Sequence, residues 1–406
     1  MEKKSYLKLT SKTSILLLLL VVSVSFILLS FSFKNIIFMA GADEGYYLKY
    51  ATYIGKNGLR GFPALFKDYL QAQEHWPPNP LRVGFILLSS LWLKIFGYSF
   101  LNLAYLSLFS YSVFLCFSFY FVKKYFGEKN AVLAVILLTF SPLNMAMARR
   151  ALMNAAVNPF TLCSIWLFFE RLRERKNYKT VLFIAVYSLT ILIREDSVLL
   201  SVFFMLYILI HGKVFKRPVK LTDFLIITIF PSLIVGSLYT LIAGGFSNVI
   251  ETARIILLSR EPNHYALIFG SGPWYRYLID FMLLSPWVCI LAIAFATAYF
   301  IKKEWREEVV YLIILSISLI FLLDFFTKNV RYLSILDLPL RLFAVLMLNE
   351  LTKRIFRDSS EIALIICVVL IVFFDFLSFL NLFIQQGIYD PVSYQLLQAR
   401  HVIPWR

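Results

Sequence analysis

An acidic pair followed by aromatic residues, at positions 43–47 (DEGYY), is the first segment of the sequence that could perform acid–base chemistry. It leads into residues 48–57, whose apolar positions recur with the spacing of an amphipathic helix. A carboxylate at a helix start can act only as a helix cap, or it can take a proton from an attacking hydroxyl or amine. Because adjacent helical side chains diverge by about 100°, Asp43 and Glu44 are predicted to have different roles, with Asp43 as the candidate base.

A second cluster, Glu74-His75-Trp76, lies directly before a proline-rich stretch at positions 77–80. It follows residues 62–73, which are predicted to form a short helix with a proline in its first turn, where proline is tolerated. A histidine in a loop is usually only solvated. A carboxylate and an aromatic ring beside it are typical of a sugar-binding site, so Glu74 and His75 are predicted to bind substrate.

Several basic residues at the ends of apolar runs are candidates for contact with a phosphate: Arg150 near Asn154, Arg194 in the segment Arg194-Glu195-Asp196, and Lys328 with Arg331. An arginine at a membrane surface can instead extend to lipid headgroups, and this alternative stays open for Arg150. It is weaker for Arg194, since a lipid anchor needs no acidic neighbours. Asp337 and Arg341, four residues apart, are predicted to form an intramembrane salt bridge.

The composition places the chain in a membrane. Of its 406 residues 60% are hydrophobic and 16% are charged, and the mean hydropathy is +0.75. A soluble globule of this composition would expose a large apolar area. The net charge of +16 comes from short Lys and Arg clusters between apolar runs, which favours contact with anionic lipids over nucleic acid. The four cysteines lie in apolar runs, so neither disulfides nor thiolate metal sites are predicted.

The apolar runs, among them 131–148 and 274–300, each counted as one crossing, predict an all-α polytopic membrane protein with about 11 transmembrane helices. The positive-inside rule places six basic segments, including residues 1–13, in the cytoplasm, which requires an even number of crossings between consecutive segments. The run at 14–33 is then a retained first crossing, and the short run at 81–97 lies along the outer interface. The predicted organisation is a single membrane domain (1–406) in a cell membrane, with a first outer loop carrying juxtamembrane helices (34–99), a second outer loop (243–273) and an outer C-terminal tail (385–406).

The predicted topology places all the polar clusters on the outer face of the membrane. The donor of a transferred sugar must therefore be available on that face. The sequence has no glycine-rich nucleotide-binding loop and no cytoplasmic segment large enough to hold a nucleotide sugar. These features favour a donor carried by a lipid. A polyprenyl phosphate leaves readily once Arg or Lys meets its charge, each contact contributing roughly 1.5 to 3 kcal/mol.

The order and spacing of these segments resemble the GT-C glycosyltransferases of the dolichyl-phosphate-mannose protein mannosyltransferase and aminoarabinose transferase superfamily. The similarity covers most of the chain and is carried by DEGYY (43–47), HWPP through IFG (75–97), KKYFG (123–127), Ser141-Pro142, Arg150 to Asn154, Pro273-Trp274-Tyr275 and Arg331-Tyr332.

This resemblance implies a GT-C-like bundle and an inverting reaction on the outer face, with Asp43 as the general base. It implies that Glu44 supports the site or joins Asp43 at an optional divalent metal, and that Arg194 binds the carrier phosphate. The implied donor is a polyprenyl- or dolichyl-phosphate sugar, and the other predicted substrate-binding residues are Tyr47, Glu74, His75, Arg150, Asn154, Lys328 and Arg331.

Two departures from the family pattern weaken parts of this prediction. Trp76 separates His75 from the prolines, and Asn154 stands where the family has an acidic residue. A role that needs charge at position 154, and with it metal dependence, is therefore less well supported.

Two other functions stay open from the sequence. A transporter or lipid flippase would place ionisable groups near the bilayer midplane, for which Asp324, Asp375 and the Asp337–Arg341 pair are the candidates. Asn154 favours an inactive relative that binds carrier lipid without transferring a sugar. The acceptor, whether lipid, glycan or protein, and the identity of the sugar are not specified by any motif.

Overall fold

The computed structural model describes residues 10–72, 78–216, 218–258, 272–303, 305–324 and 328–402. Within these ranges the chain is mostly helical and has no β-strand, which confirms the predicted all-α class. The α-helices are α1 (Ser11–Ser32), α2 (Asp43–Asn57), α3 (Phe62–Gln71), α4 (Val83–Phe96), α5 (Phe100–Phe126), α6 (Glu128–Thr139), α7 (Pro142–Ala148), α8 (Met153–Glu174), α9 (Asn177–Ile193), α10 (Leu200–Val214), α11 (Leu221–Ile242), α12 (Phe246–Leu258), α13 (Arg276–Leu284), α14 (Pro286–Lys302), α15 (Glu307–Asp324), α16 (Asp337–Phe356), α17 (Ser360–Phe379) and α18 (Ser393–Ala399). Short 3-10 segments lie at Phe33–Asn35, Gly58–Gly61, Glu195–Leu199, Val330–Leu336 and Arg357–Ser359, and a π-helical segment lies at Leu380–Gln385.

The chain divides into two compact units. The central unit contains residues 33–111 and 148–271, and the terminal unit contains residues 1–32, 112–147 and 272–406. Each unit is therefore assembled from segments that are distant in the sequence.

The central unit carries the predicted first outer loop. Within it α2 packs against α4, α4 packs against α9, and α9 also contacts α8 and α11. Helix α2 buries Tyr47, Tyr50 and Ile54 on one stripe, the pattern expected of an amphipathic helix on a protein surface. The helix ends at Gly58, whose φ of +63° is a conformation that glycine adopts without steric cost. The predicted helices in this loop are thus confirmed as α2 and α3.

The terminal unit is built around α16, which packs against α6, α14 and α17. Two of its predicted continuous apolar runs are broken. The run at 131–148 divides into α6 and α7, which are bent by 62°, and the run at 274–300 divides at Ser285 into α13 and α14. A proline follows each break, Pro142 in the first and Pro286 in the second, and proline cannot donate the backbone hydrogen bond that a continuous helix needs.

Among the described residues, five helical stretches are long and apolar enough to cross a membrane, or six if the bent α6–α7 pair is one crossing. Three further apolar helices, among them α4, are shorter. At 1.5 Å per residue, the 14 residues of α4 span about 21 Å, less than the ~30 Å of a hydrocarbon core. The predicted number of about 11 crossings and the orientation of the chain stay predictions.

Two helices lie in segments that were predicted only as an outer loop and a tail. Helix α12 occupies much of the second outer loop, and its contact with α3 joins the two outer segments of the central unit. Helix α18 lies in the C-terminal tail and contacts α13. Both helices are short, so neither appears in the sequence as an apolar run long enough to cross a membrane.

Candidate active site

Glu44, the second residue of α2, is completely buried and anchors the start of the helix. Its Oε2 accepts a hydrogen bond from the backbone N–H of Met39 at 2.9 Å, and its Oε1 accepts one from the N–H of Ala151 at 3.0 Å. The guanidinium of Arg150 lies 3.6 Å from Oε2 and also donates to the carbonyl of Ile37 at 3.1 Å. One carboxylate therefore fastens the chain before α2 to the chain before α8.

These contacts restrict the metal role predicted for Glu44. A metal ion bound through Glu44 would have to share the two carboxylate oxygens with the N–H groups of Met39 and Ala151 and with the guanidinium of Arg150. Among the described residues, no three His, Cys, Asp or Glu side chains form a group that could hold a metal ion. The geometry fits Glu44 as a residue that supports the site by anchoring the start of α2.

Replacement of Glu44 by glutamine should lower the free energy of unfolding by about 1 to 3 kcal/mol. Either protonation state of the carboxyl can accept hydrogen bonds at both oxygens, whereas the amide nitrogen of glutamine cannot accept one, so the N–H of Met39 or of Ala151 loses its partner. Thermal unfolding of the purified variant and of wild type would measure the difference. Glu251→Gln on the exposed side of α12 is the matched control and should change stability by less than about 0.5 kcal/mol.

The effect of Glu44→Gln should also depend on pH. Burial raises the pKa of Glu44 above its ordinary value, although Arg150 and the two backbone donors oppose this. A raised pKa in the folded state means that the contribution of Glu44 is complete below the unfolded-state pKa and is lost as the pH rises through the folded-state pKa. The stability difference between wild type and variant should therefore be widest at acid pH, and a difference that grows as the pH rises would contradict this assignment.

Asp43, the candidate base, is the first residue of α2 and is half-buried. Ala42 occupies the N-cap position and makes no side-chain cap, so Asp43 is not the N-cap residue that the alternative interpretation required. Asp43 and Tyr47 are four residues apart and therefore lie on the same face of the helix. The contacts of Glu44 hold the first turn of α2 in place. They therefore also fix the direction in which the side chain of Asp43 extends from the backbone.

A second set of contacts surrounds Arg82, which directly precedes α4. Its Nε lies 3.1 Å from Oε2 of Glu195, and its Nη2 donates to Oε1 of the same carboxylate at 3.1 Å. Its Nη1 donates to the hydroxyl of Tyr47. Asn79 donates to Oε1 of Glu195 at 2.7 Å. The negative charge of Asp43 acts on both Arg82 and Tyr47, which places Asp43 within the electrostatic reach of this cluster.

Arg194 and Asn154, two residues predicted to bind substrate, also belong to the central unit. The Nη2 of Arg194 donates to Oδ2 of Asp196 at 2.5 Å, in the turn between α9 and the following 3-10 segment. Asn154 is buried in the first turn of α8, four residues after Arg150. Of the eight predicted site residues that the structure describes, the central unit contains six: Asp43, Glu44, Tyr47, Arg150, Asn154 and Arg194.

Comparison with known proteins gives one family match and several structural matches. Residues 80–240 match the family model described as dolichyl-phosphate-mannose-protein mannosyltransferase. The fold is similar to that of ArnT from Cupriavidus metallidurans in the apo state, with a TM-score of 0.55 at 13% identity. It is also similar to ArnT from the same organism bound to undecaprenyl phosphate, with a TM-score of 0.60 at 14% identity over 94% of this chain and 74% of that chain. The chain therefore has an ArnT-like GT-C fold.

Both alignments leave part of the ArnT chain uncovered. The alignment to apo ArnT covers 86% of this chain but only 62% of that chain. Comparison with curated protein sequences gives no match. The GT-C-like fold predicted from the order of the motifs is confirmed.

Lys328 and Arg331, predicted to bind phosphate, belong to the terminal unit. The Nζ of Lys328 lies 3.1 Å from Asp324 and donates to the carbonyl of Gly272 at 2.6 Å. Arg331 forms an ion pair with Asp390 at 2.8 Å. Both cations therefore have a carboxylate partner, which a phosphate would have to share or displace. Glu74 and His75 lie outside the described residues.

The intramembrane pair of the terminal unit is part of a larger network. Arg341 is completely buried and contacts Asp337 at 3.2 Å, Asp375 at 2.7 Å and the Ser285 hydroxyl at 3.0 Å. Asp337 in turn accepts hydrogen bonds from Ser141 and Asn144, the latter at 2.8 Å. The salt bridge predicted between Asp337 and Arg341 is confirmed. Because each charge has an opposite charge beside it, this network is best explained as structural support, and no observation favours the transporter alternative.

Sequence reasoning did not select Arg82, Asn79 or Glu195 as site residues. Two signals were available. Asn79 lies within the proline-rich stretch that precedes α4, and Glu195 sits in a turn beside Arg194. Nothing in the local sequence indicated that these segments, more than 110 residues apart, would meet.

Proposed function

We propose that this protein is an inverting glycosyltransferase that moves a sugar from a polyprenyl- or dolichyl-phosphate carrier to an acceptor on the non-cytoplasmic face of the membrane. The observation that carries the proposal is the placement of Asp43: a half-buried carboxylate at the first position of α2, fixed by the buried Glu44 and one turn from Tyr47. The GT-C fold, and the undecaprenyl phosphate bound in one ArnT structure, support a carrier-lipid donor.

In the proposed reaction an acceptor oxygen or nitrogen attacks the anomeric carbon of the donor from the face opposite the phosphate. The bond from that carbon to the phosphate oxygen breaks, and its electron pair stays on the phosphate. Asp43 takes the proton that the acceptor loses. A positioned base of this kind contributes typically ~10²- to 10⁴-fold in rate, and attack from the opposite face inverts the configuration at the anomeric carbon.

The outer location of the site follows from charge. The basic segments between the apolar runs favour a cytoplasmic N-terminus, and the first outer loop then faces away from the cytoplasm. A lipid carrier suits this side of the membrane, since its hydrocarbon chain remains in the bilayer while its phosphate reaches the surface.

A donor panel tests the proposed function. The purified protein is incubated with a set of polyprenyl-phosphate sugars, with membrane extract supplying acceptors, and free polyprenyl phosphate is measured by mass spectrometry. Wild type should release the carrier from at least one donor, and heat-inactivated protein should release none.

Two other outcomes would contradict the proposal in different ways. Donor binding without release from any sugar would indicate an inactive relative that only binds carrier lipid. Movement of a labelled donor across vesicles that contain the protein, again without release, would indicate a transporter.

A further inference from the structure

The guanidinium of Arg82 is held from two sides but is not fully occupied. Nε and Nη2 face Glu195, and Nη1 donates to Tyr47. An arginine side chain has five N–H groups. Among the described residues, these contacts use three of them and leave one N–H on each Nη. The Arg82 side chain is 16% exposed.

Glu195 is itself fixed, so that it holds Arg82 in one orientation. Asn79 donates to Oε1 of Glu195 at 2.7 Å and accepts from the backbone N–H of Leu81 at 3.1 Å. The carboxylate therefore receives hydrogen bonds from two side chains in the segment that directly precedes α4. A guanidinium held in a fixed plane is suited to two-point binding of a phosphate.

Arg82 shares its surroundings with the proposed base. Asp43 and Tyr47 lie on the same face of α2, and Tyr47 accepts a hydrogen bond from Arg82. Burial lowers the pKa of the Arg82 guanidinium, but Glu195 and, with a smaller effect, Asp43 raise it. Tyr47 therefore joins Arg82 to the face of α2 that carries Asp43.

We propose that Arg82 binds the phosphate of the carrier as it leaves, and that Glu195 and Asn79 are positioning residues that hold its guanidinium. This inference rests on the proposed function. The donor phosphate is a diester with one negative charge, and departure of the sugar leaves a monoester that carries a second. A cation beside it is bound more strongly after bond cleavage than before, so the contact accelerates the reaction rather than only tightening donor binding.

Arg194, the residue first predicted for this role, is less suited within the central unit. Its side chain is 7% exposed, against 16% for Arg82, and Asp196 contacts it at 2.5 Å. Arg82 combines greater exposure with direct contact to Tyr47, a residue on the face of α2 that carries Asp43.

The test compares three variants with wild type in the donor assay. Arg82→Met should lower the rate constant for carrier release by about 10²- to 10³-fold, with little change in KM for the donor. Arg82→Lys keeps the charge but loses the planar fork, and should recover part of the rate. Arg60→Met, an exposed arginine in the same outer loop, is the matched control and should behave like wild type.

A structural role for Arg82 must be separated from phosphate binding, because Arg82→Met leaves Glu195 without its counterion. The double variant Arg82→Met/Glu195→Met removes both charges. If Arg82 only supports the fold, the double variant should regain the activity that the single variant lost. If Arg82 binds phosphate, the double variant should fold, as shown by its melting temperature, and stay inactive.

A binding measurement makes the proposal independent of turnover. Affinity for undecaprenyl phosphate, measured in detergent, should fall by about 10- to 100-fold in the double variant, the range of one charge-assisted contact. If wild type binds this lipid but transfers no sugar, the proposed function fails while the binding comparison still decides the role of Arg82. Equal affinity in wild type and the double variant, or unchanged release by Arg82→Met, would overturn the assignment.

Discussion

Asp43→Asn should lose glycosyl transfer by about 10²- to 10⁴-fold while keeping its fold and its affinity for the donor. Asparagine preserves the size and shape of the side chain and removes the proton acceptor. Asp43 is half-buried and its neighbour Glu44 makes the contacts that anchor α2, so the substitution leaves those contacts in place. Release of free polyprenyl phosphate, followed under single-turnover conditions, measures the loss directly.

The matched control for Asp43→Asn is Asp68→Asn on α3. Asp68 is exposed and lies in the same outer loop, so the same chemical change there should leave the rate near that of wild type. Melting temperature and donor affinity, measured on both variants, separate catalysis from folding. Wild-type rates in Asp43→Asn would remove the base assignment, and an equal loss in both variants would point to a general effect of charge in the loop.

The helices around Asp43 could be predicted because their signals are local. The stripe of Tyr47, Tyr50 and Ile54 repeats within one helix, and Gly58 marks the end of that helix. The acidic pair at the start was visible for the same reason. Local periodicity therefore predicted the element that carries the candidate base.

The contacts that hold this element were not predictable in the same way. Glu44 is bound by the backbone N–H groups of Met39 and Ala151, and a backbone N–H is present at nearly every residue, so it leaves no mark in the sequence. Arg82 and Glu195 are separated by 113 residues, and their pairing depends on how α4 packs against α9. Such contacts follow from tertiary structure, and no short motif in a single sequence predicts them.

Two prolines in the sequence marked the breaks in the apolar runs, but the continuous hydropathy of these runs favoured single crossings. Pro142 and Pro286 lie inside stretches whose hydropathy is continuous, and hydropathy alone predicted single crossings there. In the structure the chain bends by 62° between α6 and α7, and it is interrupted at Ser285 between α13 and α14. The hydroxyl groups at these breaks, Ser141 and Ser285, contribute to the buried network of Arg341.

Arg341→Met should destabilise the protein by about 3 to 5 kcal/mol, the cost of removing one partner from a buried ion pair. Arg341 is completely buried, and its removal leaves the carboxylates of Asp337 and Asp375 with no cation in contact among the residues that the structure describes. The loss would be a large fraction of the roughly 5 to 15 kcal/mol that stabilises a folded domain. Unfolding of the purified variant and of wild type in a denaturing detergent titration would measure it.

Helix α16 contains its own control for this prediction. Glu350 and Arg354 form a second ion pair with the same spacing of four residues, but Arg354 is 67% exposed. Arg354→Met should therefore cost less than about 1 kcal/mol, as is usual for a surface pair. The triple variant Asp337→Asn/Arg341→Met/Asp375→Asn removes every charge of the buried network and should recover stability relative to Arg341→Met. Equally small losses of stability in Arg341→Met and Arg354→Met would show that the network does not support the fold. That result would favour a role for these charges in moving an ion or lipid.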